Sequence, residues 1–243
     1  MTGNNTSMLS KGLAIIDLLA TVPEPMTTRD ISRATGIPKS TVHRLMIDLC
    51  ASGTVDAEPA GYRLGLHLFE LGGAALRQNR VEEIARPILE DLFEATQHLV
   101  QIGTLYGTDV IYLARVGQQG RQHVASPVAG RVPANCTAMG KALLAHNPVA
   151  LETAIRNGLT RKTPSSITDP EVLRNQMREI RRDGYAIELE EIRVGLSCVA
   201  SPVLVGRRVP IALSLTGAID SFDPYAFVSM VRSAARQIAN VVA

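Results

Sequence analysis

Lys39, Ser40, Thr41 and Arg44 fall within six residues of one another in the stretch KSTVHRL, and side chains of these types read nucleic acid. An Arg guanidinium pairs bidentately with guanine O6 and N7. Ser and Thr hydroxyls bond base edges or phosphates, and an apolar Ile or Thr methyl meets the thymine methyl. A Lys in the first turn of a helix adds charge where the helix N-terminus already favours phosphate. These properties assign base reading to Arg44 and Ser40, and phosphate positioning to Lys39 and Thr41. The competing reading of the same residues is the solvated face of an amphipathic helix.

The elements around them have the order that would present such a face. Thr27, followed three residues later by Asp30, fits a capping box at the start of a helix ending near Thr35, with Gly36 as its left-handed stop. Pro38 stands at or beside the first position of a second helix, where a missing N–H costs nothing. On that helix Val42, Leu45, Met46 and Leu49 follow i, i+3, i+4, i+7 spacing and mark a buried stripe, so Ser40, Arg44 and Ile47 point the opposite way. Val55 to Ala57 and Tyr62 to Leu64, with turn residues between, read as a β-hairpin wing that offers Arg63 to the DNA backbone or minor groove. A purely structural hairpin is the alternative for that residue. Leu9, Leu13, Ile16 and Leu19 predict a preceding amphipathic helix, after eight polar residues expected to be disordered.

Charge is local rather than global. The 243 residues carry 25 Lys and Arg against 23 Asp and Glu, so the protein has no broad basic surface. Between Thr27 and Met46, however, Arg29, Arg33, Lys39 and Arg44 oppose Asp30 alone. Such a modest footprint suits symmetric binding, in which two half-sites add. No apolar run reaches the roughly 18 residues of a membrane span and no signal-peptide pattern opens the chain, so the expectation is a cytoplasmic protein without membrane contact. Three well-separated cysteines, Cys50, Cys136 and Cys198, match neither a disulfide scaffold nor a CxxC zinc site. No cofactor or metal is expected.

The domain organisation follows from pattern changes: a disordered tail over 1–8, a winged helix-turn-helix over 9–65, a linker helix over 66–79 and a second domain over 80–243. Gly72 and Gly73 weaken the linker helix by roughly 1 kcal/mol each relative to Ala, and read equally as a hinge or as a place for close packing. A long helix carries Val81, Ile84, Ile88, Leu92 and Ala95 on one side, with Pro87 as an expected kink. Alternating strands at 99–106 and 109–116 follow, then helices near 138–145, 149–157 and 171–183. Strands near 185–188, 199–205 and 209–216 and a final helix over about 224–241 complete an α+β domain with a mostly antiparallel sheet. Within it Thr137, Ala138, Met139 and Gly140 precede or open a helix and could offer N–H groups to a carboxylate. Ser214 and Thr216 share one strand face opposite Ile211, Leu213 and Leu215; from spacing alone that polar face reads as exposed to solvent.

Several catalytic patterns fail. Gly140 and Lys141 lack the further Gly and the following Ser or Thr of a phosphate loop. Glu190 and Glu191 are adjacent and read as salt-bridge or capping residues rather than an acid–base pair. Cys198 has no local nucleophile signature with His98, His123 or His146. A Cys136 and Cys198 redox or metal sensor, or a small-molecule enzyme carrying a helix-turn-helix, is the alternative to a non-enzymatic regulator.

Five ordered motifs, GIPKSTVHRLMIDL, YRLG, CTAMGKALLA, RRDGYAIELEEIRVGLSCVASPV and ALSLTG, resemble those of the IclR-type (isocitrate lyase regulator) transcriptional regulators. The resemblance spans nearly the whole chain after the first eight residues. It implies a GAF-like effector domain, a homodimer or homotetramer, and a palindromic double-stranded DNA operator, more often repressed than activated. It also implies that occupancy changes with a small organic effector. Carried over position by position, it places Ser214 and Thr216 on the ligand cavity, joins them with Glu188, Leu196 and Cys198, and makes Val124 and Val132 an apolar wall. Ala138 and Met139 complete this candidate effector site. Family members often carry Asp at the Glu188 position, so the longer acid here alters the size or polarity of the cavity.

Overall fold

A computed structural model describes residues 7–78, 80–117, 130–206 and 208–242, and the chain divides into two compact units, 1–79 and 80–243. In the first unit, α1 (Met8–Leu19), α2 (Thr28–Thr35) and α3 (Lys39–Ala51) precede the hairpin β1 (Val55–Glu58) and β2 (Gly61–Leu64), and α4 (Leu66–Gln78) follows. Thr27 Oγ1 accepts from the Asp30 N–H but donates to the Asp30 carboxylate, so the predicted capping box is only half formed. Gly36 ends α2 with φ of 70°, and Ser32 Oγ holds the turn by donating to the Ile37 carbonyl. Val42, Leu45 and Met46 of α3 are buried with Ile15, Leu19, Ile31, Ile37 and Val55. Each such apolar side chain contributes roughly 1.5–3 kcal/mol on burial.

Two readings of this unit change, and one pair of alternatives is narrowed. Helix α1 begins at Met8, with Ser7 Oγ capping it through the Ser10 N–H, so residues 7 and 8 belong to the folded unit. Its buried face is Gly12, Ile15 and Leu19, which leaves Leu9 and Leu13 exposed: the predicted stripe was rotated because Leu and Ile occur on more than one side of this helix. Finally, α4 runs unbroken through Gly72 and Gly73. A Cβ on Gly72 would meet nothing within 4 Å, so that glycine serves no close approach among the described residues.

The second unit is a six-stranded sheet between two helical layers. Its strands are β3 (Leu99–Tyr106), β4 (Asp109–Val116), β5 (Arg131–Pro133), β6 (Ala186–Leu189), β7 (Leu196–Val205) and β8 (Arg208–Ala218). They lie in the order β5-β4-β3-β8-β7-β6, and every described pairing is antiparallel. The short β5 and the 3₁₀ turn Ala134–Cys136 were not anticipated. On one face pack α5 (Val81–Thr96) and α9 (Val228–Val242), burying Leu89, Leu92, Val231 and Ile238 against Ile211, Leu213 and Leu215. Helix α5 continues through Pro87 and buries Ala85, Leu89, Leu92 and Thr96; Ala95, expected on the buried side, is exposed.

The other face carries α6 (Ala138–Leu144), α7 (Pro148–Asn157) and α8 (Pro170–Asp183). All seven residues of α6 are buried, Lys141 among them. This depth depends on Gly140, where a Cβ would sit 2.2 Å from the Ala134 carbonyl oxygen. Gly140→Ala should therefore lower the urea midpoint of the second unit's unfolding by an amount equivalent to about 1–3 kcal/mol, an overpacking penalty. Gly72→Ala on the open side of α4 should instead raise the stability of its unit by up to about 1 kcal/mol. Equal responses from the two variants, followed by far-UV circular dichroism, would contradict this difference in packing.

Candidate DNA-reading face and effector cavity

On α3 the structure leaves Lys39, Ser40, His43, Arg44 and Ile47 exposed and Thr41 half-buried, opposite the Val42, Leu45 and Met46 stripe. Among the described residues the Arg44 guanidinium makes one contact, to Met8 Sδ at 3.5 Å, and so remains available at the surface. Arg33 is held by Asp30 at 2.9 Å, so the local excess resides on Arg29, Lys39 and Arg44. Arg63 is exposed on the wing but pairs with Glu58 at 2.9 Å across the hairpin. Engaging phosphate would cost Arg63 that contact, which makes it the weakest member of the set.

In the second unit, cross-strand register does what sequence spacing could not. Glu188 of β6, Cys198 of β7 and Thr216 of β8 are directly opposite one another in one row, and Ala200, Ser214 and Gln101 occupy the next row on the same face. Because α6 covers that face, Glu188, Gln101, Ala200, Ser214 and Thr216 are buried and Cys198 is half-buried. Ser214 and Thr216 are 2% and 8% exposed, so the solvent-exposed reading from spacing is overturned. Above them Thr137 caps α6 by accepting from the Gly140 N–H at 2.9 Å.

A small cavity of about 20 Å³ lies where these groups converge, room for a single water molecule. Ala138, Met139, Glu188, Leu196, Cys198, Ser214 and Thr216 line it, as does Thr137 of the expected anion-facing turn, and so do Gln101, Tyr112 and Ile192, which the sequence did not single out. Val132 instead belongs to the apolar core beside Val110 and Ala134, because β5 lies beyond β4 at the sheet edge. Val124 lies outside the described residues. Gln101 carried a detectable signal, as an amide in the middle of an apolar strand whose neighbours Val100 and Ile102 are fully buried. Tyr112 and Ile192 carried none, since an aromatic in a strand and an aliphatic in a loop are ordinary core residues.

A chain of hydrogen bonds runs through the cavity wall. Cys198 Sγ lies 2.7 Å from Thr216 Oγ1, and Thr216 Oγ1 donates to Gln101 Oε1 at 3.2 Å. Burial pushes the Cys198 thiol well above its usual range, so it carries its proton and feeds the chain from one end. Gln101 Nε2 is left without a partner among the described residues. Glu188 Oε1 accepts from the backbone N–H groups of Glu191 and Ile192, whereas Oε2 has no partner there. Desolvation outweighs those two donors and raises the Glu188 carboxyl to about 7.

Next to this wall, Lys141 Nζ on α6 is in direct contact with Glu191 Oε1, both side chains being enclosed. The loop bearing Glu191 is tied down further: Thr163 Oγ1 donates to the Glu190 carbonyl and Ser166 Oγ to the Glu191 carbonyl, each at 2.6 Å. Glu190, with φ of 56°, accepts from the Gly195 N–H at 2.7 Å. Both acids are thus pairing and capping groups. Cys136 donates to the Thr160 carbonyl, and burial also raises its thiol, so neither effector-domain cysteine has the thiolate character that redox sensing requires. His98 packs edge-on against Phe222 and Phe227, away from Cys198.

A winged helix-turn-helix with an exposed cationic recognition helix, joined to an α+β domain enclosing a polar cavity, defines the class of two-domain, ligand-binding transcriptional regulators. Residues 8–59 match the IclR helix-turn-helix domain and residues 73–240 match the bacterial transcriptional regulator IclR C-terminal domain. The chain therefore belongs to the IclR family of transcriptional regulators. It is 33% identical to the HTH-type transcriptional regulator BhcR of Paracoccus denitrificans, over 80% of this chain and 71% of that protein. It is 30% identical to the HTH-type transcriptional repressor AllR of Klebsiella pneumoniae, over 96% and 89%. An IclR homologue from Microbacterium hydrocarbonoxydans, crystallised with 4-hydroxybenzoate, superimposes with a TM-score of 0.84 at 28% identity, covering 97% of this chain and 99% of that one. Among the described residues no helix is long and apolar enough to cross a membrane.

The enclosed ion pair yields a direct test. Lys141→Met should cost about 3–5 kcal/mol, since it leaves the Glu191 carboxylate uncompensated, and adding Glu191→Leu should recover most of that loss. Urea unfolding of the single and double variants measures it; additive losses would mean that the two groups are not coupled.

Proposed function

We propose that this protein is a ligand-responsive repressor that binds a palindromic operator as a homodimer or homotetramer in the cytoplasm and takes a small organic acid as effector. The observation that carries this reading is the convergence of seven expected effector residues on one enclosed polar cavity in the second unit. The exposed face of α3 supplies the output. Arg44 and Ser40 read base edges, Lys39 and Thr41 position the helix on phosphates, and Arg63 adds a wing contact.

The acid class is supported by the Gln101 amide N–H that has no partner within the wall, and by analogy with the relative crystallised with 4-hydroxybenzoate. Self-association is supported by the large apolar side chains that the first unit exposes. Leu9 and Leu13 on α1 and Leu66 and Phe69 on α4 are all more than half exposed. Coverage by a second copy would bury them and place two recognition helices on a symmetric site. Effector binding then shifts the population of arrangements, only some of which match the half-site spacing.

Fluorescence anisotropy with duplexes tiled across the region upstream of the gene tests the DNA arm. A specific duplex should bind with affinity that falls as salt rises, and Arg44→Ala should weaken it by about 1–3 kcal/mol. Unchanged affinity in that variant removes Arg44 from the reading set. For the cavity, at least one small carboxylate should raise the melting temperature, and Ser214→Ala should diminish that rise; a panel of acids with no effect would discredit the acid effector while leaving DNA binding intact.

A further inference from the structure

We infer that an acid enters the effector cavity together with one proton, which comes to rest on Glu188 Oε2 and is donated to the ligand carboxylate, while the Gln101 Nε2–H remains a second donor at the same cavity. This rests on the reading of the cavity as an organic-acid site. It begins from two buried polar atoms in one wall that have no partner among the described residues, Gln101 Nε2 and Glu188 Oε2. Buried polar groups are otherwise nearly always satisfied, so a pair left open at the same cavity marks where a ligand completes the network.

The direction of the bonds determines what that ligand must present. Thr216 fixes the amide by donating to Gln101 Oε1, which turns the NH₂ outward as a donor. The two backbone N–H groups of 191 and 192 both address Glu188 Oε1, so a proton on this carboxyl belongs on Oε2. Protonated, the wall offers two separate donors, the Glu188 Oε2–H for a carboxylate and, three strands away across the sheet, the Gln101 Nε2–H for a further acceptor of the ligand. Ionised, it sets a buried negative charge against the ligand's own, and two such charges at close range do not both persist.

The groups packed around Glu188 do not supply a substitute for the proton. Lys141 on α6 favours the ionised form of Glu188, but its ammonium is in contact with Glu191 and burial outweighs its effect. Glu191 itself raises the proton affinity of Glu188, Tyr112 on β4 is a phenol held neutral by burial, and the Cys198 thiol on β7 keeps its proton. Among the described lining residues there is no Lys or Arg. Because burial raises the Glu188 carboxyl to about 7, proton uptake on binding should grow as pH rises through that range, and apparent affinity for the acid should fall by up to about tenfold per pH unit well above it.

Isothermal titration calorimetry tests this with the full-length protein at pH 6, 7 and 8, in phosphate and in Tris, whose ionisation enthalpies differ widely. The probes are 4-hydroxybenzoate, benzoate, lactate and succinate, with benzamide, lactamide and succinamide as neutral counterparts. A binding acid should show a buffer-dependent enthalpy that corresponds to proton uptake growing from pH 6 to pH 8. Glu188→Gln, permanently neutral, should abolish that dependence, flatten affinity across the pH range and bind up to about tenfold more tightly than wild type at pH 8. Acid binding without proton uptake, uptake that persists in Glu188→Gln, or loss of binding in a variant that still melts cooperatively would overturn the inference alone. Binding of the amides but of none of the acids would overturn the organic-acid reading on which it rests.

Discussion

A lysine ammonium and two glutamate carboxyls enclosed between a β-sheet and a buried helix are what the effector domain is arranged around. Lys141 sits on a helix whose every residue is buried, and its charge is tolerable only because Glu191 is in contact with it. That contact fixes the loop after β6 against α6, and the same loop turns the N–H groups of 191 and 192 onto Glu188. Glu188 therefore stands where β6 register places it, with one oxygen saturated and the other open to the cavity. The polar wall follows from an ion pair that lies outside it.

Packing on both faces of the sheet explains why this polarity is expressed as a site. In a sheet with one wet face, Ser214 and Thr216 would be ordinary solvated residues. Here α5 and α9 take the side of Leu213 and Leu215, and α6 closes the side of Ser214 and Thr216. Hydroxyl, thiol and amide groups in that environment bond to each other, because water does not compete. The chain from Cys198 through Thr216 to Gln101 is the result, and its polarity leaves a donor at its end.

Legibility in the sequence divided along the same line. Local signals sufficed for the helix-turn-helix: Gly36 and Pro38 define the turn, and the Val42, Leu45, Met46 spacing gives the outward face of Arg44 without any long-range information. Strands β3 and β4 were equally readable, since alternation and a Gly107 turn are local. Helices α1 and α5 were found but rotated about their axes, because their apolar residues occupy more than one face and tertiary contacts choose among them. The cavity was legible only through resemblance. Glu188, Cys198 and Thr216 are separated by 10 and 18 residues, and only strand register brings them into one row.

The small volume of the cavity bears on how binding becomes a signal. About 20 Å³ admits a water but not a benzoate-sized acid, so occupancy requires part of the wall to move. The sheet side is held by ladders on β7 and β8, whereas the opposite side is Met139, an unbranched side chain seated over Gly103 where a Cβ would come within 2.7 Å of its sulfur. Displacing Met139 presses on α6, and α6 carries Lys141, whose partner holds the loop bearing Glu191. Met139 on α6 and Glu188 on β6 thus meet at one cavity, the first limiting the size of what enters and the second its charge. A ligand shifts a population of conformations only as far as its affinity differs between them, so a wall that must move to admit it is where such a difference can arise.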